Sequence, residues 1–331
     1  MDISNYPSVY IILLNWKDYD DTKACLLSFN KVTYPNFKIV VVDNFSQDGS
    51  VEKLQSEFPS VTYVLNDGNF GFSRGCNAGM RKAYDLGADF VLVLNNDMVV
   101  EPGFLESAVD EAKKAKDLGA VTGKIMYIDQ PNVFWQAGGH IDIWRSQGIP
   151  RGKGETDNGQ YDKICDTGWA SGAMSLIPRS TLDKIGYFPE EYFFGLEEWD
   201  YSTAILLAGL KIRYVPEFKA YHQAGGSYKA GHPVLNIYGG YMGKMIYAEK
   251  YMSPLKWKLW RIAFWLFLKF KWPTLAWDGC QNEEDYKVKL RAAYMAFEDH
   301  KTIKYVGLPE LESAARRLGP APSWGNDWVS N

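Results

Sequence analysis

This 331-residue sequence has only four cysteines, no long apolar run and no excess of basic over acidic residues. Its four cysteines stand far apart, at positions 25, 76, 165 and 280, without the spacing of a disulfide framework or a metal cluster. We therefore expect reduced cysteines, as in cytoplasmic proteins. The formal net charge of −4 gives no indication of a nucleic-acid partner, so we expect none.

The sequence also lacks any run of about 18 apolar residues, which argues against a helix that spans a bilayer. Its first residues do not join a basic segment to an apolar one, so we expect no secretory signal. Together with the reduced cysteines, this predicts a cytoplasmic location. The length suits one large domain or two modest ones.

Aromatic residues, in contrast, are abundant. They make up 15% of the chain, including 12 Trp and 21 Tyr. Such side chains can stack on sugars or lie at a membrane interface, and they can equally well fill a core. The composition leaves these interpretations open.

The first hundred residues alternate short apolar runs with helical segments. The predicted strands are residues 9–14, 37–42, 61–65 and 90–94, and the predicted helices are residues 21–30, 50–58 and 75–86. This alternation predicts right-handed βαβ units and an α/β fold with a mainly parallel central sheet flanked by helices. Ligands of such sheets bind beyond the carboxyl ends of the strands. Polar residues follow every predicted strand at that edge, namely Asn15, Asp43, Asn66 with Asp67, and Asp97.

Further along the chain the periodicity is weaker. Residues 147–162 are polar and rich in Gly, so we expect a flexible loop there. A helix is predicted over residues 197–207. A strand is predicted over residues 210–215, where Pro216 closes it.

Two strand ends carry acidic residues that suggest a ligand. Asp43 opens the turn DNFSQDGS at residues 43–50, where carboxylate and amide groups could hold a base and a ribose through hydrogen bonds. The same residues make good turn and helix-cap chemistry, which needs no ligand. Asp97 follows the fourth strand, and a hard divalent cation that bridges two phosphate oxygens would accept its carboxylate.

An acidic cluster, Glu197, Glu198 and Asp200, follows the aromatic run YFFGL and opens a predicted helix. The helix dipole favours acids at this position, which explains many such clusters. Three acids behind an aromatic run are more than a cap requires. A carboxylate against aromatic walls has a raised pKa and can act as a general base on an acceptor hydroxyl. His222 is a further candidate, although a lone histidine is more often structural.

In this order the segments resemble family 2 glycosyltransferases of the GT-A fold, and within them the rhamnosyltransferase-like branch. The similarity spans residues 8–227, about two-thirds of the chain. The matching segments are LNW at 14–16, VVDNFSQDGS at 41–50, NFGFSRGCNAG at 69–79, LNND at 94–97, SGAMSLIPR at 171–179, YFFGLEEWD at 192–200, and the closing His222 and Ser227.

The resemblance implies a role for each matching residue. Contacts with the nucleotide-sugar are implied for Asn15, Asp43, Asn44, Ser46, Asn69, Gly71, Phe72, Gly75, Asn77 and Asn96. Contacts with the acceptor are implied for Trp169, Ser171, Gly172, Glu197 and Trp199. Asp97 and His222 would hold a divalent metal, Mg²⁺ or Mn²⁺, with the diphosphate. Glu198 would be the catalytic base, with Glu197 and Asp200 as rivals for that role.

The implied activity is that of an inverting, metal-dependent hexosyltransferase of cell-surface polysaccharide biosynthesis. It would move one sugar, with rhamnose as the choice typical of the branch, from a dTDP- or UDP-sugar to a hydroxyl of a glycan or lipid-linked acceptor. Two residues depart from the family pattern, since Asn95 replaces the first Asp of a strict metal motif and Glu198 stands where Asp is usual. They keep open a catalytically degenerate sugar-binding or scaffold module. A sugar-phosphate nucleotidyltransferase is disfavoured, because NWKD at residues 15–18 is not a Gly-rich basic loop.

The resemblance also divides the chain into a GT-A catalytic domain over residues 1–232 and a helical region over residues 233–331. Within the first, the nucleotide-sugar part would cover residues 1–120 and the acceptor part residues 121–232.

In the helical region, residues 256–272 join seven uninterrupted apolar residues to flanking Lys, Arg and Trp. This suits an interfacial helix on an anionic membrane, on the inner face, and equally a helix packed on the catalytic domain or in a homodimer interface. Another amphipathic helix is predicted over residues 283–300.

Overall fold

The four strands predicted in the first hundred residues are present in the computed structural model, which describes residues 5–223 and 233–319. They are β1 (Val9–Asn15), β2 (Phe37–Asp43), β3 (Thr62–Leu65) and β4 (Phe90–Asn95). All pair in parallel, in the order β3-β2-β1-β4. The three that read as continuous apolar runs, β1, β2 and β4, form the buried centre of this half, as expected for strands covered on both faces.

Three helices connect these strands: α1 (Tyr19–Ser28, continued by a 3₁₀ turn, Phe29–Lys31), α2 (Ser50–Glu57) and α3 (Gly71–Asp85). The predicted α/β fold with βαβ units is therefore confirmed. Helix α3 begins four residues before its predicted start and lies unusually close to the sheet. A Cβ atom at Gly75 or Gly79 would stand 2.6 Å from side-chain atoms of Leu14 or Ile12, so only glycine permits this approach.

The second half of the sheet is mixed. Its elements are β5 (Met98–Val100), α4 (Phe104–Lys114), β6 (Leu118–Tyr127), β7 (Phe134–Ala137), β8 (Gly139–Asp142), β9 (Gln147–Pro150), β10 (Cys165–Thr167), β11 (Met174–Pro178), α5 (Arg179–Ile185), α6 (Glu197–Leu207) and β12 (Lys211–His222). Beyond β4 the order continues as β11-β6-β12-β10, with β6 and β12 parallel and β11 antiparallel to β4. Strands β8 and β9 form a separate hairpin.

Two predictions for this half are wrong. β12 does not close at Pro216, because a shift in its pairing with β6 between Val215 and Lys219 leaves the proline outside the hydrogen-bonded ladder. Residues 147–162 are not a plain loop, since they begin with β9. The rest of that segment is held by the buried Lys124 of β6, whose ammonium pairs with Asp157 and Asp162 at 2.8 and 2.5 Å.

After residue 232 the described chain is helical, as predicted. It contains a π-helical segment (Pro233–Gly239), α7 (Gly240–Tyr251), α8 (Pro254–Leu266), a second π-helical segment (Phe267–Lys271), α9 (Trp272–Leu275), α10 (Glu283–Asp299) and α11 (Leu308–Leu318). These elements share an apolar core, and Tyr192 and Leu196 from the catalytic part pack into it. None of the helices within residues 5–223 and 233–319 is long and apolar enough to cross a bilayer. The predicted boundary after residue 232, and Ser227 of the closing motif, lie outside the described residues.

Candidate active site

The parallel register brings the first two predicted ligand-binding residues side by side. Asn15, the last residue of β1, is opposite Asp43, the last residue of β2, and Leu14 is opposite Asn95 of β4. The carboxyl ends of three strands therefore meet at one edge, where Asn96 and Asp97 follow β4. The edge predicted to bind a ligand is present as a single surface.

Asn15 is fully buried and organises this edge through hydrogen bonds. Its amide donates to Asp43 Oδ1 at 2.9 Å and to Ser46 Oγ at 3.3 Å, while its Oδ1 accepts from the hydroxyl of Thr22 at 2.9 Å. Asp43 also accepts from the backbone N–H of Ser46 at 3.0 Å. Asn15, Asp43 and Ser46 thus form one connected network, and Thr22 is a member that the sequence did not suggest.

The backbone around this network is held in an uncommon conformation. Lys17, Phe45 and Gln47 all have positive φ values, of 54°, 67° and 52°, although none is glycine. Such conformations cost roughly 1–3 kcal/mol each and persist where the surrounding contacts enforce them. The strain lies in the two turns that follow β1 and β2, where the nucleotide is predicted to bind.

Asn44 and Asn69 join the second turn to the start of α3. The Asn44 amide donates to Asn69 Oδ1 at 2.8 Å, and its Oδ1 accepts from the Asn66 amide at 3.0 Å and from the Phe70 N–H at 3.2 Å. The hydrogen bonds of Asn44 therefore shape the loop between β3 and α3. The contact of Asn44 with the nucleotide-sugar, like that of Asn69, stays a prediction.

Gly71 and Phe72, at the start of α3, contact the chain segment that leads to Glu197. The Phe72 N–H donates to the Phe193 carbonyl at 2.7 Å. Gly71 has φ 74°, and a Cβ atom on it would lie 2.1 Å from that same carbonyl oxygen. Asn77, lower on α3, binds the backbone of Phe188 in both directions, donating at 2.8 Å and accepting at 3.0 Å. The start of α3 thus fixes the position of the chain that leads to Glu197 and Glu198.

Asp97 and His222, the predicted metal ligands, lie next to each other. Their Oδ1 and Nε2 atoms are 3.1 Å apart, both side chains are almost fully buried, and the Trp135 ring packs edge-on against the imidazole. Within the described chain, Asp97 Oδ1, Asn95 Oδ1 and His222 Nδ1 have no hydrogen-bond partner. A carboxylate and an imidazole that converge in this way could bind one cation together. The ligand would supply the other contacts of that cation.

Neighbouring carboxylates make this corner strongly negative. Burial, followed by repulsion from Asp97, raises the pKa of Asp18, and burial with repulsion from Asp18 and Asp97 raises the pKa of Asp21. Asn96 donates to the Asp18 carboxylate at 3.1 Å and to the Thr22 hydroxyl at 2.9 Å. The described residues nevertheless include no group of three or more His, Cys, Asp or Glu arranged to hold a metal by themselves. A cation here would need ligands from a diphosphate.

The segment SGA at residues 171–173 joins this corner to the acidic cluster. The Asn95 N–H donates to the Ala173 carbonyl at 3.0 Å, because β11 runs antiparallel to β4. Ser171, buried, accepts from the Ala173 N–H at 3.2 Å and so shapes this turn. A Cβ atom on Gly172 would stand 3.4 Å from Glu198 Cβ, which shows that Glu198 lies directly over Gly172.

Glu197 and Glu198 form a pair of neighbouring buried carboxyl groups at the first turn of α6. Burial, followed by repulsion from Glu198, raises the pKa of Glu197 well above its usual 4.5. Burial also raises the pKa of Glu198, and the hydrogen bond from Glu197 opposes that rise. No donor in the described residues reaches the Oε2 atom of either group. These directions predict that the two carboxyls share a proton, with Glu197 protonated and the more accessible Glu198 ionised.

Asp200, three residues further along α6, has a different environment. Its buried carboxylate accepts from the hydroxyls of Tyr192 at 2.8 Å and Tyr251 at 2.5 Å and from the Lys250 ammonium at 2.8 Å. Lys250 and Tyr251 belong to α7, so these bonds fasten α6 to the C-terminal helices. The sequence pattern did not identify this arrangement, because Lys250 and Tyr251 lie about fifty residues from Asp200 along the chain.

Trp169 and Trp199 stand edge to face, with ring centroids 6.2 Å apart, and the indole N–H of Trp169 has no partner in the described residues. The β8–β9 hairpin packs against both, since a Cβ atom on Gly148 would lie 2.7 Å from Trp199 Nε1 and 3.1 Å from the Trp169 ring. The predicted acceptor residues are therefore grouped beside the Glu197–Glu198 pair, under this hairpin.

Known proteins share both the sequence pattern and the fold. The sequence profile of the family described as Glycosyl transferase family 2 matches residues 8–186, more than half of the chain. A similar protein is the N-acetylglucosaminyl-diphospho-decaprenol L-rhamnosyltransferase of Mycobacterium tuberculosis, 24% identical over 71% of this chain and 83% of its own length. Another is the rhamnosyltransferase WbbL of Escherichia coli K12, 23% identical over 65% of this chain and 83% of its own length.

Two solved structures share the fold at 15% identity. GalNAc-T7 with UDP, GalNAc and Mn²⁺ superposes with a TM-score of 0.62 over 90% of this chain, which spans only 56% of that protein. The mannosyltransferase PcManGT from Pyrobaculum calidifontis, in complex with GDP-Man and Mn²⁺, superposes with a TM-score of 0.52 over 96% of this chain and 88% of its own. The predicted GT-A fold with a C-terminal helical extension is confirmed. By its sequence profile, this chain belongs to the family 2 glycosyltransferases.

Proposed function

We propose that this glycosyltransferase moves one sugar from a nucleoside-diphosphate sugar to a hydroxyl of a glycan or lipid-linked glycan, with inversion and with the help of a divalent metal. The observation that carries this proposal is the Glu197–Glu198 pair, buried at the start of α6, beside Gly172 and at the same edge as Asp97. Each carboxyl group has an oxygen with no hydrogen-bond partner among the described residues. An acceptor hydroxyl bound there would supply the missing donor.

Glu198 is the group we assign as general base. It is the more accessible carboxyl of the pair, and burial raises its pKa towards the range in which a base both stays ionised and takes a proton. It removes the proton of the acceptor hydroxyl as that oxygen attacks the anomeric carbon. The bond from that carbon to the diphosphate breaks and its electron pair leaves with the diphosphate. A single displacement of this kind inverts the anomeric configuration.

Asp97 and His222 are the residues we assign to a divalent metal, Mg²⁺ or Mn²⁺. The convergence of Asp97 Oδ1 with His222 Nε2 and the surrounding carboxylates of Asp18 and Asp21 favour a cation at this corner. When bound there with a diphosphate, such an ion supplies Lewis-acid neutralisation of the charge on the leaving group. Both similar solved structures contain Mn²⁺ with a nucleotide or a nucleotide-sugar.

For the substrates, we propose rhamnose from a dTDP-sugar, with a UDP-sugar as the next choice, and a lipid-linked acceptor. The similar proteins from Mycobacterium tuberculosis and Escherichia coli are both rhamnosyltransferases, and the name of the first includes a diphospho-decaprenol lipid. Under this proposal residues 1–120 bind the nucleotide-sugar and residues 121–232 contribute the acceptor side. The cytoplasmic location and a homodimer stay predictions.

Thermal unfolding with nucleotides tests the nucleotide and metal parts of the proposal. The protein is melted with dTDP, UDP or GDP, each with and without Mn²⁺. A ligand at 100 times its dissociation constant should add about 2.7 kcal/mol to the free energy of unfolding. We expect stabilisation by dTDP that needs the metal. If the folded protein shows no shift with any nucleotide in the presence of Mn²⁺, the proposal is wrong.

The buried acid pair also argues against a degenerate sugar-binding module. Two neighbouring carboxyl groups taken out of water destabilise a fold unless they are paired. A scaffold gains nothing from keeping both, whereas a transferase needs one as a base. Measurement of the anomeric configuration of the product by NMR distinguishes inversion from retention and completes the test.

A further inference from the structure

Helix α8 presents an apolar face to solvent. Its buried side is formed by Trp260 and Phe264, which are 6% and 8% exposed. The opposite side carries a stripe of four residues, Leu255, Leu259, Ile262 and Leu266, with exposures of 69%, 51%, 51% and 42%. Their spacing of four, three and four places them on one line along the helix. An ordinary surface helix has polar residues there, so α8 is apolar on both sides.

The apolar surface continues past the end of α8. Phe270, in the second π-helical segment, is 66% exposed, and Trp277, after α9, is 54% exposed. Of the 19 large apolar side chains exposed in the described residues, eight fall between positions 255 and 277. Scattered apolar residues on a surface are normal, but this concentration in one short segment indicates a binding surface. We call it the α8 face.

The charge around the α8 face is of one sign. Residues 254–277 include Lys256, Lys258, Arg261, Lys269 and Lys271 and no acidic residue, in a chain whose net charge is −4. None of these cations forms an ion pair with a carboxylate within residues 5–223 and 233–319, whereas Lys269 lies over the rings of Trp265 and Phe270. Long basic side chains next to exposed aromatic rings suit a surface whose apolar part is immersed and whose ammonium groups reach anionic headgroups.

Charge complementarity distinguishes between two occupants of this face. A second copy of this chain would apply the same surface in a two-fold dimer, so five cations would face five cations. An anionic lipid bilayer can bury the leucines in its acyl region. Its negative headgroups can at the same time contact the lysines. We propose that the α8 face binds the surface of an anionic lipid bilayer, with α8 lying in the plane of the interface.

The buried side of α8 contacts the β8–β9 hairpin, so the helix lies between that hairpin and the α8 face. The Trp260 indole N–H donates to the carbonyl of Trp144 at 2.8 Å, and Trp144 lies at the tip of the β8–β9 hairpin, 54% exposed. The body of that hairpin covers Trp169 and Trp199. Docking of the protein on the bilayer does not itself depend on the transfer reaction.

Flotation with lipid vesicles tests the proposal. The full chain is mixed with phosphatidylcholine vesicles that contain or lack phosphatidylglycerol, at low and at high salt. We expect binding to the anionic vesicles that weakens as salt is raised. The double variant Leu259→Gln with Ile262→Gln should bind at least about tenfold more weakly. Lys256→Gln with Lys258→Gln should lose about fivefold for each lysine.

Matched controls separate docking from folding and from dimerisation. Leu206→Gln with Leu207→Gln changes two exposed leucines at the end of α6 and should leave vesicle binding unchanged. Circular dichroism and nucleotide-dependent melting of every variant should match the parent chain, which also keeps this test separate from that of the transferase. The proposal is overturned if the parent chain ignores anionic vesicles, if it binds neutral ones equally well, or if the Leu259 and Ile262 changes break a dimer without affecting vesicle binding.

Discussion

At the carboxyl ends of β1 and β2 the buried polar side chains bind one another, whereas at the start of α6 the carboxyl groups keep oxygens without partners. Asn15 donates to Asp43 at 2.9 Å, and its own carbonyl oxygen is occupied. The buried Glu197 and the half-buried Glu198 have no hydrogen-bond donor at Oε2 in the described chain. The two regions meet at one site through the contact between Gly71 and Phe193.

This difference separates residues that shape the site from residues that act in it. A buried polar group with its partners present stabilises the fold by a modest net amount, and leaving it unpaired costs about 1–3 kcal/mol. The paired groups therefore hold two strained turns in place. The unpaired groups carry a cost that a substrate, a metal or a proton can relieve. Substitutions of the paired groups should therefore lower stability, whereas substitutions of the unpaired groups should lower activity or ligand binding.

The largest expected effect is on the rate. Glu198→Gln keeps the size of the side chain and removes the base, so kcat should fall by about 10²–10⁴-fold. Stabilisation by nucleotide and metal should be unchanged, because Asp97 and His222 are untouched. The measurement is a transfer assay combined with nucleotide-dependent melting. Full activity in this variant would mean that Glu198 is not the base, and a stronger loss in Glu197→Gln would move that role to its neighbour.

Asp200 contrasts with Glu198, because its carboxylate already has hydrogen-bond partners within the protein. Asp200→Ala leaves the buried Tyr192 hydroxyl without its acceptor, leaves Tyr251 only the Asp200 backbone carbonyl at 3.2 Å, and removes the ion pair with Lys250. We expect a loss of about 3 kcal/mol in the free energy of unfolding, with a limited share from Lys250 because that side chain is half-exposed. Denaturant titration measures it. Asp110→Ala, on the exposed side of α4, is the control and should change stability by less than about 0.5 kcal/mol. A loss as small as the control's would show that α6 does not depend on α7.

The metal corner should respond to substitution only when ligands are present. Asp97→Ala removes an unpaired buried oxygen, so the ligand-free protein should melt close to the parent. The metal-dependent part of nucleotide stabilisation, up to about 2.7 kcal/mol at 100 times the dissociation constant, should disappear. Asp110→Ala is again the control and should retain it. Metal-dependent stabilisation that survives in Asp97→Ala would place the cation elsewhere.

The sequence predicted the first region well because its physical signals are local. Strands buried on both faces must be apolar along their whole length, and the polar residue at each end marks the ligand edge, as at Asn15 and Asp43. The course of β12 beyond Pro216 was missed because it depends on a register shift against β6. No pattern within a single strand reveals its partner's register.

The acidic cluster shows where prediction from the sequence stops. Its three acids read alike along the chain, and all three were candidates for the base. Only the fold separates them, because two partners of Asp200, Lys250 and Tyr251, come from α7, some fifty residues later. In the same way, the apolar run of α8 predicted either burial or an interface. The exposures of Leu255 and Leu259 show that its apolar stripe faces outward in the chain as described.

The smallest expected effect concerns the pH dependence of stability. The pKa of Glu197 is raised well above 4.5 in the folded protein by burial and by Glu198, so the folded state binds a proton that the unfolded state has released. The stabilisation linked to that proton is complete below pH 4.5 and is lost as the pH rises through the folded-state pKa. Glu197→Gln cannot ionise. Its stability relative to the parent should therefore increase with pH across this window, by at most about 1.4 kcal/mol per pH unit.

Denaturant titrations of the parent and of Glu197→Gln over a series of pH values measure this difference. Glu198 is coupled to Glu197, so the difference reports the titration of the pair, whereas the other titrating groups are common to both proteins and largely cancel. Glu52→Gln, on the exposed side of α2, is the control and should give a much smaller change with pH. If Glu197→Gln gives a constant difference from the parent, the two carboxyl groups do not share a proton in the folded state. Glu198 would then lack the neutral neighbour that lets it stay ionised in a buried site, and its assignment as the base would lose its electrostatic support.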